Sequence, residues 1–198
     1  MALYTKSGLR VKIAEFSRRD PRFQTKSASE ILFNEAVRVK KTDSFNIFLS
    51  HSYLDWESVL ALKLDIEEMG FSIYVDWIVD ASLDRTNVTK ETANLLRDRM
   101  ARCDSLFVAT SPNSSNSKWM PWELGYFDGI KKRVAILPVL DTTQASDYFE
   151  GQEYLGLYHY ITKDPTRNTD EMTLWVHEDE TTYVKFSSWL NGTEPQKH

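Results

Sequence analysis

The sequence predicts an α/β domain of the doubly wound, flavodoxin-like kind, a central parallel sheet with helices on both faces. Three observations carry this. Short apolar, β-prone runs recur at 45–50, 71–76, 105–110 and 134–140. The stretches between the first three pairs of ends carry apolar residues at helical spacing, and strands alternating with helices of this length imply right-handed crossovers and a parallel sheet. Finally, 198 residues, 41% hydrophobic and 13% aromatic, supply the core of one ordinary domain, which excludes global disorder, collagen and coiled coil.

Taken in order, Ser27 to Glu30 has the Ser-x-x-Glu form of a capping box, followed by Ile31, Leu32, Ala36 and Val39, and predicts a helix from about Ser29 to Lys40. Phe45 to Ser50 reads as a buried strand that stops at polar residues. From Leu54 to Met69 the positions Val59, Leu62, Ile66 and Met69 keep helical register, and Gly70 is placed to cap the end. Phe71 to Asp76 is a second strand, and a polar stretch from Trp77 to Thr86 leads to a helix over Asn87 to Arg102, marked by Ala93, Leu96 and Met100. Ser105 to Thr110 is the third strand. A Ser-, Pro- and Asn-rich loop from Ser111 to Lys118 precedes a helix over Trp119 to Lys132, and Val134 to Leu140 is the fourth strand. Beyond it, Tyr158 to Ile161 reads as a fifth strand and Tyr183 to Leu190 as a closing helix, with the acidic stretch between them as irregular surface. The organisation is an N-terminal basic arm and helix over 1–44, a core over 45–165, and an acidic extension over 166–198 that completes the same domain.

Several classes fall away on composition. No apolar run approaches the ~20 residues that cross a bilayer, and the first ten residues lack a secretory apolar region, so a cytoplasmic protein with no membrane partner is expected. Cys103 is the one cysteine, and with His51, His159, His177 and His198 it forms no metal-ligand spacing, so neither disulfide nor metal is expected. The net charge of -5 is uneven: residues 1–44 carry ten Lys/Arg against five Asp/Glu, and residues 141–198 carry four against eleven. The arm is too short and too mixed in sign to imply nucleic acid. Its helix is expected on the outside of the core, either modulating assembly or covering apolar surface.

In an open α/β sheet, ligands bind at the carboxyl ends of the strands. Ser50, His51 and Ser52 follow the first strand and lead into a helix N-terminus, where free N-H groups favour a phosphate; the two serines suit either ligand contact or helix capping, and His51 either ligand contact or a surface or hinge position. No Gly-rich phosphate loop is present. After the third strand, Ser117 closes the loop and Pro121 confines the helix start to its first turn, which puts Glu123 near the helix mouth and near the surface. Trp119 and Glu123, at i and i+4, then share a face. Glu123 suits either an ionised site carboxylate or a residue that stabilises the helix end. Trp119 and Trp122 suit either stacking on a planar ligand or core packing. Asp80 and Arg85, in the loop after the second strand, are candidate ligand contacts or ordinary surface charges.

From Phe45 to Leu140 the sequence resembles a Toll/interleukin-1 receptor (TIR) domain. The matching pieces are Phe45-Asn46-Ile47-Phe48-Leu49-Ser50-His51-Ser52, the run Gly70 to Asp76, and Ser111 through Glu123 with its Trp-x-x-x-Glu. The continuation Trp122-Glu123-Leu124-Gly125-Tyr126-Phe127-Asp128 is similar to prokaryotic members. That resemblance implies the TIR variant of the flavodoxin-like fold and cleavage of NAD at the nicotinamide-ribose bond, with Glu123 as the catalytic glutamate and Trp119 as the site tryptophan. It further implies anti-phage defence, by NAD depletion or a cyclic ADP-ribose signal, and self-assembly, with a downstream effector or an upstream sensor as partner. NAD is then substrate, and no cofactor is implied. The loop from Trp77 to Thr86 departs from the Gly-rich or Pro-Gly form common in the family.

The chemistry suits a site with one obvious carboxylate. The nicotinamide of NAD leaves from a cationic pyridinium and needs no general acid, so one group that binds ribose hydroxyls and stabilises oxocarbenium charge suffices. A TIR interaction module without turnover, and an enzyme similar to nucleoside deoxyribosyltransferases, are the alternatives, because one fold hosts many functions.

Overall fold

A computed structural model describes residues 1–51, 56–75, 89–110, 119–141, 148, 149, 151, 153–166 and 169–198. Its elements, in chain order, are β1 (Tyr4–Thr5), α1 (Lys6–Arg19), a 3₁₀ turn (Pro21–Gln24), α2 (Ala28–Arg38), β2 (Phe45–His51), α3 (Trp56–Glu68), β3 (Ile73–Val75), α4 (Lys90–Ala101), β4 (Cys103–Thr110), α5 (Trp119–Lys131) and β5 (Val134–Leu140). A second 3₁₀ turn (Glu153–Leu157), β6 (His159–Pro165), β7 (Met172–His177), β8 (Thr182–Lys185), α6 (Phe186–Leu190) and β9 (Gln196–Lys197) complete it.

Five strands run parallel in the order β3-β2-β4-β5-β6. Numbered among themselves this is 2-1-3-4-5, the flavodoxin-like order, and its switch point lies between β2 and β4. Period-two alternation sends Ile47, Leu49, Phe107, Ala109, Ala135 and Leu137 to one face, under α1, α2, α3 and α6. Phe48, Leu106, Val108, Val134 and Ile136 go to the other, under α4 and α5. Full burial of a side chain such as Phe48 or Leu49 contributes roughly 1.5–3 kcal/mol.

The local signals read from the sequence have physical counterparts. Ser27 Oγ accepts from the Glu30 amide, and the Glu30 carboxylate accepts from the Ser27 amide at 2.7 Å, closing the capping box. Gly70 ends α3 at φ 86°, a conformation that favours glycine.

Elsewhere the structure adds to the sequence reading or corrects it. The expected helix of the arm, α2, covers core surface with Ala28, Ile31, Leu32 and Ala36, and the arm goes further than the sequence indicated: Leu3, Tyr4, Leu9 and Phe16 are buried as well, β1 pairs with the end of β5, and Ala2 bridges Lys163 of β6. The helix α1, absent from the sequence reading, buries only Leu9 and Phe16, too sparse a stripe to stand out. The acidic stretch is not irregular, because β7 and β8 extend the sheet antiparallel from β6, and the expected helix at Tyr183 is strand until Lys185. Thr173 to His177 alternates around Leu174 and Val176, which lie buried in the core, so the pattern was present among the surrounding charges.

One buried ionic cluster ties the arm to the core. Asp65 of α3, 2% exposed, accepts from Tyr4 Oη at 3.0 Å and from Lys163 Nζ at 2.6 Å, with Lys12 Nζ at 3.2 Å. Burial, then the neighbouring Asp65 charge, pushes the Tyr4 phenol well above its ordinary pKa.

Candidate functional site

The carboxyl ends of β2 and β4 form the switch-point crevice, and strand parity decides which side chains enter it from the α5 side. Ser50 shares parity with Phe48, and Thr110 with Leu106 and Val108, so both project toward α5. His51 has the parity of Leu49; it is buried on the α3 side, with Nδ1 3.4 Å from the Leu49 carbonyl oxygen. The side chains of Ser50 and His51 therefore lie on opposite faces of the sheet.

From α5, Glu123 meets Ser50. The Ser50 hydroxyl donates to Glu123 Oε2 across 73 positions of sequence, with Ser50 at 0% and Glu123 at 2% exposure. The expected position near the surface is thus corrected: Pro121 does occupy the first turn of α5, but Glu123 is the fifth residue of the helix and no acidic residue lies in the first turn. Burying a carboxylate costs several kcal/mol unless partners offset it. A fold that buries this carboxyl beside a strand-end hydroxyl holds it in a fixed geometry where the sheet places its ligands.

Trp119 lies one turn before Glu123 on the same face and is 8% exposed. Its ring meets Trp122 edge-on, with centroids 5.4 Å apart. Trp122 points about 100° around the helix from Glu123, stacks on Tyr126 at 5.7 Å, and lies under the Arg97 guanidinium of α4 at 5.4 Å. The structure thus brings Ser50, Trp119 and Glu123 together and turns Trp122 toward α4. Ser52, Asp80, Arg85 and Ser117 lie outside the described residues. Thr110, a polar end to the apolar strand β4, was not singled out from the sequence; its parity is the signal that finds it. Among the described residues no cluster of three or more His, Cys, Asp or Glu could hold a metal ion, and no helix is long and apolar enough to cross a membrane.

A doubly wound domain with the 2-1-3-4-5 order, and a buried glutamate on the helix after its third parallel strand, fits the class of TIR-type domains. Comparison with known proteins narrows it. The chain is 47% identical over 191 residues, 96% of its length and 98% of the relative's, to a probable 3' cyclic ADP-D-ribose synthase, ThsB', of Bacillus cereus (strain MSX-D12). It is 26% identical over 111 residues, 56% of its length and 29% of the relative's, to a protein of Cytobacillus dafuensis provisionally named cyclic ADP-D-ribose synthase TIR2. No family model matches the chain. The chain belongs to the family of prokaryotic TIR-domain proteins that includes these two.

Proposed function

We propose that this protein cleaves the nicotinamide-ribose bond of NAD and closes the remaining ADP-ribose into a cyclic product. The observation that carries the reading is the buried Glu123 carboxylate, held by Ser50 at the switch-point crevice. The full-length likeness to the Bacillus cereus synthase supports it. As the C1'-N bond breaks, its electron pair stays on the nicotinamide nitrogen, neutralising the pyridinium. Positive charge then passes to the ribose as an oxocarbenium ion. Glu123 lies where it can accept from ribose hydroxyls and stabilise that charge, and Ser50 fixes the carboxylate in place. An internal nucleophile of the same molecule then attacks C1' and loses its proton, giving the cyclic product; attack by water gives linear ADP-ribose. Trp119 supplies an aromatic wall that excludes water from the ribose face.

The same reading makes the protein a cytoplasmic enzyme of anti-phage defence. Its turnover rises on self-association or with an inducing ligand, and a downstream effector reads its product. Ser52, Asp80, Arg85 and Ser117 are proposed as further substrate contacts from their sequence positions after the strands that end at the crevice. The test is incubation of the purified protein with NAD and, separately, with deoxynucleosides, followed by mass spectrometry. Nicotinamide with a cyclic ADP-ribose is expected. Base exchange would assign it to deoxyribosyl transfer, and inertness under every activating condition to an assembly module.

A further inference from the structure

The antiparallel end of the sheet has one face with no part in the catalytic crevice. On the α1 side its strands are covered: Leu174, Val176, Phe186 and Trp189 are buried there. On the other side, cross-strand pairing lines up two rows of side chains. Tyr160, His177 and Tyr183 oppose one another across β6, β7 and β8, with ring centroids 4.9 and 5.1 Å apart. Beside them run Thr162, Trp175 and Lys185.

Where these rows reach the end of β6 and the start of β7 they line an open pocket of about 400 Å³, a volume within the range of small-molecule sites. Its aromatic floor is Trp175 and Tyr183, set edge-to-face at 5.6 Å. Both rings are fixed. The Trp175 indole N-H donates to the Asp164 carbonyl at 3.3 Å, and His198 stacks on Tyr183 at 4.3 Å. The polar groups differ in kind. Lys185 lies with its ammonium 5.9 Å from the Trp175 ring centroid and, among the described residues, has no carboxylate partner. Glu171 reaches the rim from the turn, where the Thr166 amide donates to its carbonyl at 3.1 Å. Among the described residues, the fixed aromatic faces of Trp175 and Tyr183, the Lys185 ammonium, the Glu171 carboxylate and the His198 imidazole form a set that suits a flat heteroaromatic ring carrying an amine and a phosphate.

We propose that this cavity is a second ligand site, separate from the catalytic crevice, for the adenine ring and phosphate of a nucleotide. The base packs on Trp175 and Tyr183, its amino group donates to Glu171, and the phosphate meets Lys185. The site lies at the same end of the sheet as the crevice but five strand spacings from Ser50, roughly 24 Å at the usual inter-strand distance.

The test is calorimetric titration of the full chain with AMP, adenosine and ADP-ribose, none of which requires NAD cleavage. AMP is expected to bind at one site. Lys185→Met, which keeps the stem over Trp175 and removes the charge, should weaken AMP at least about tenfold, the scale of one lost charge-assisted contact. It should leave adenosine nearly unchanged, and Lys185→Arg should restore AMP binding. Glu123→Gln should not alter AMP affinity. Competition of ADP-ribose with AMP would show that the site accepts the adenine end of the enzyme's own product; its failure would restrict the site to free mononucleotides. Absence of saturable AMP binding at millimolar concentration, unchanged affinity in Lys185→Met, or loss of binding in Glu123→Gln would overturn the proposal.

Discussion

Replacing Ser50 by alanine removes one oxygen and almost no volume, so it isolates the hydroxyl that holds the buried carboxylate. Ser50 and Glu123 are 0% and 2% exposed, so water cannot readily take the place of the lost donor. A hydrogen bond to a charged group contributes about 1.5–3 kcal/mol, and part of the loss is offset because alanine no longer buries a hydroxyl. A net loss of roughly 1–2 kcal/mol is expected, which for a chain of 198 residues lowers Tm by about 2–8 °C. In the reaction the same loss would lower kcat about 5- to 30-fold, at 1.36 kcal/mol per decade. Calorimetric melting and timed nicotinamide release measure the two effects, and a double-mutant cycle in stability with Glu123→Leu, which removes the acceptor, isolates the pair. Full activity and an unchanged Tm in Ser50→Ala, or strict additivity in the cycle, would refute the coupling of this hydroxyl to the carboxylate.

Two further outcomes follow from charges elsewhere. Asp65→Ala leaves Lys163, Lys12 and Tyr4 without their shared acceptor, and because the lysines can partly rehydrate the expected cost is roughly 2–3 kcal/mol in urea denaturation, with NAD cleavage retained in the folded fraction. His159 is held below its ordinary pKa chiefly by burial, partly opposed by Glu194 and Glu178, so the unfolded chain binds its proton first. Stability is then undiminished above the unfolded value of about 6.5 and declines as pH falls from there toward the lowered folded value; His159→Gln should flatten that part of a stability-against-pH curve.

The elements read most directly from sequence were those whose patterns are local. Phe45 to Ser50 is one residue short of β2, the capping box sits at Ser27 and Glu30, and Pro121 marks the first turn of α5. What depended on distant packing was not legible. The arm's apolar residues are few, and only the fork between β5 and β6 shows that they complete the core. Trp119 and Glu123 could be placed on one face from their spacing, but the burial of Glu123 and its bond to Ser50 join residues 73 positions apart. Whether Ser50 or His51 faces α5 depends on strand parity, which the sequence carries only once the register of β2 against β4 is known.

Glu123→Gln tests the central claim most directly. The glutamine fills the same buried space and its carbonyl oxygen can still accept from Ser50, so the fold should persist while the negative charge is lost. With the protein brought to its active state, nicotinamide release from NAD should fall at least ~10²-fold, the scale of removing one preorganised electrostatic group, with only a small change in Tm. Near-normal nicotinamide release by the folded variant would contradict the assignment of Glu123 as the group that stabilises the ribosyl cation.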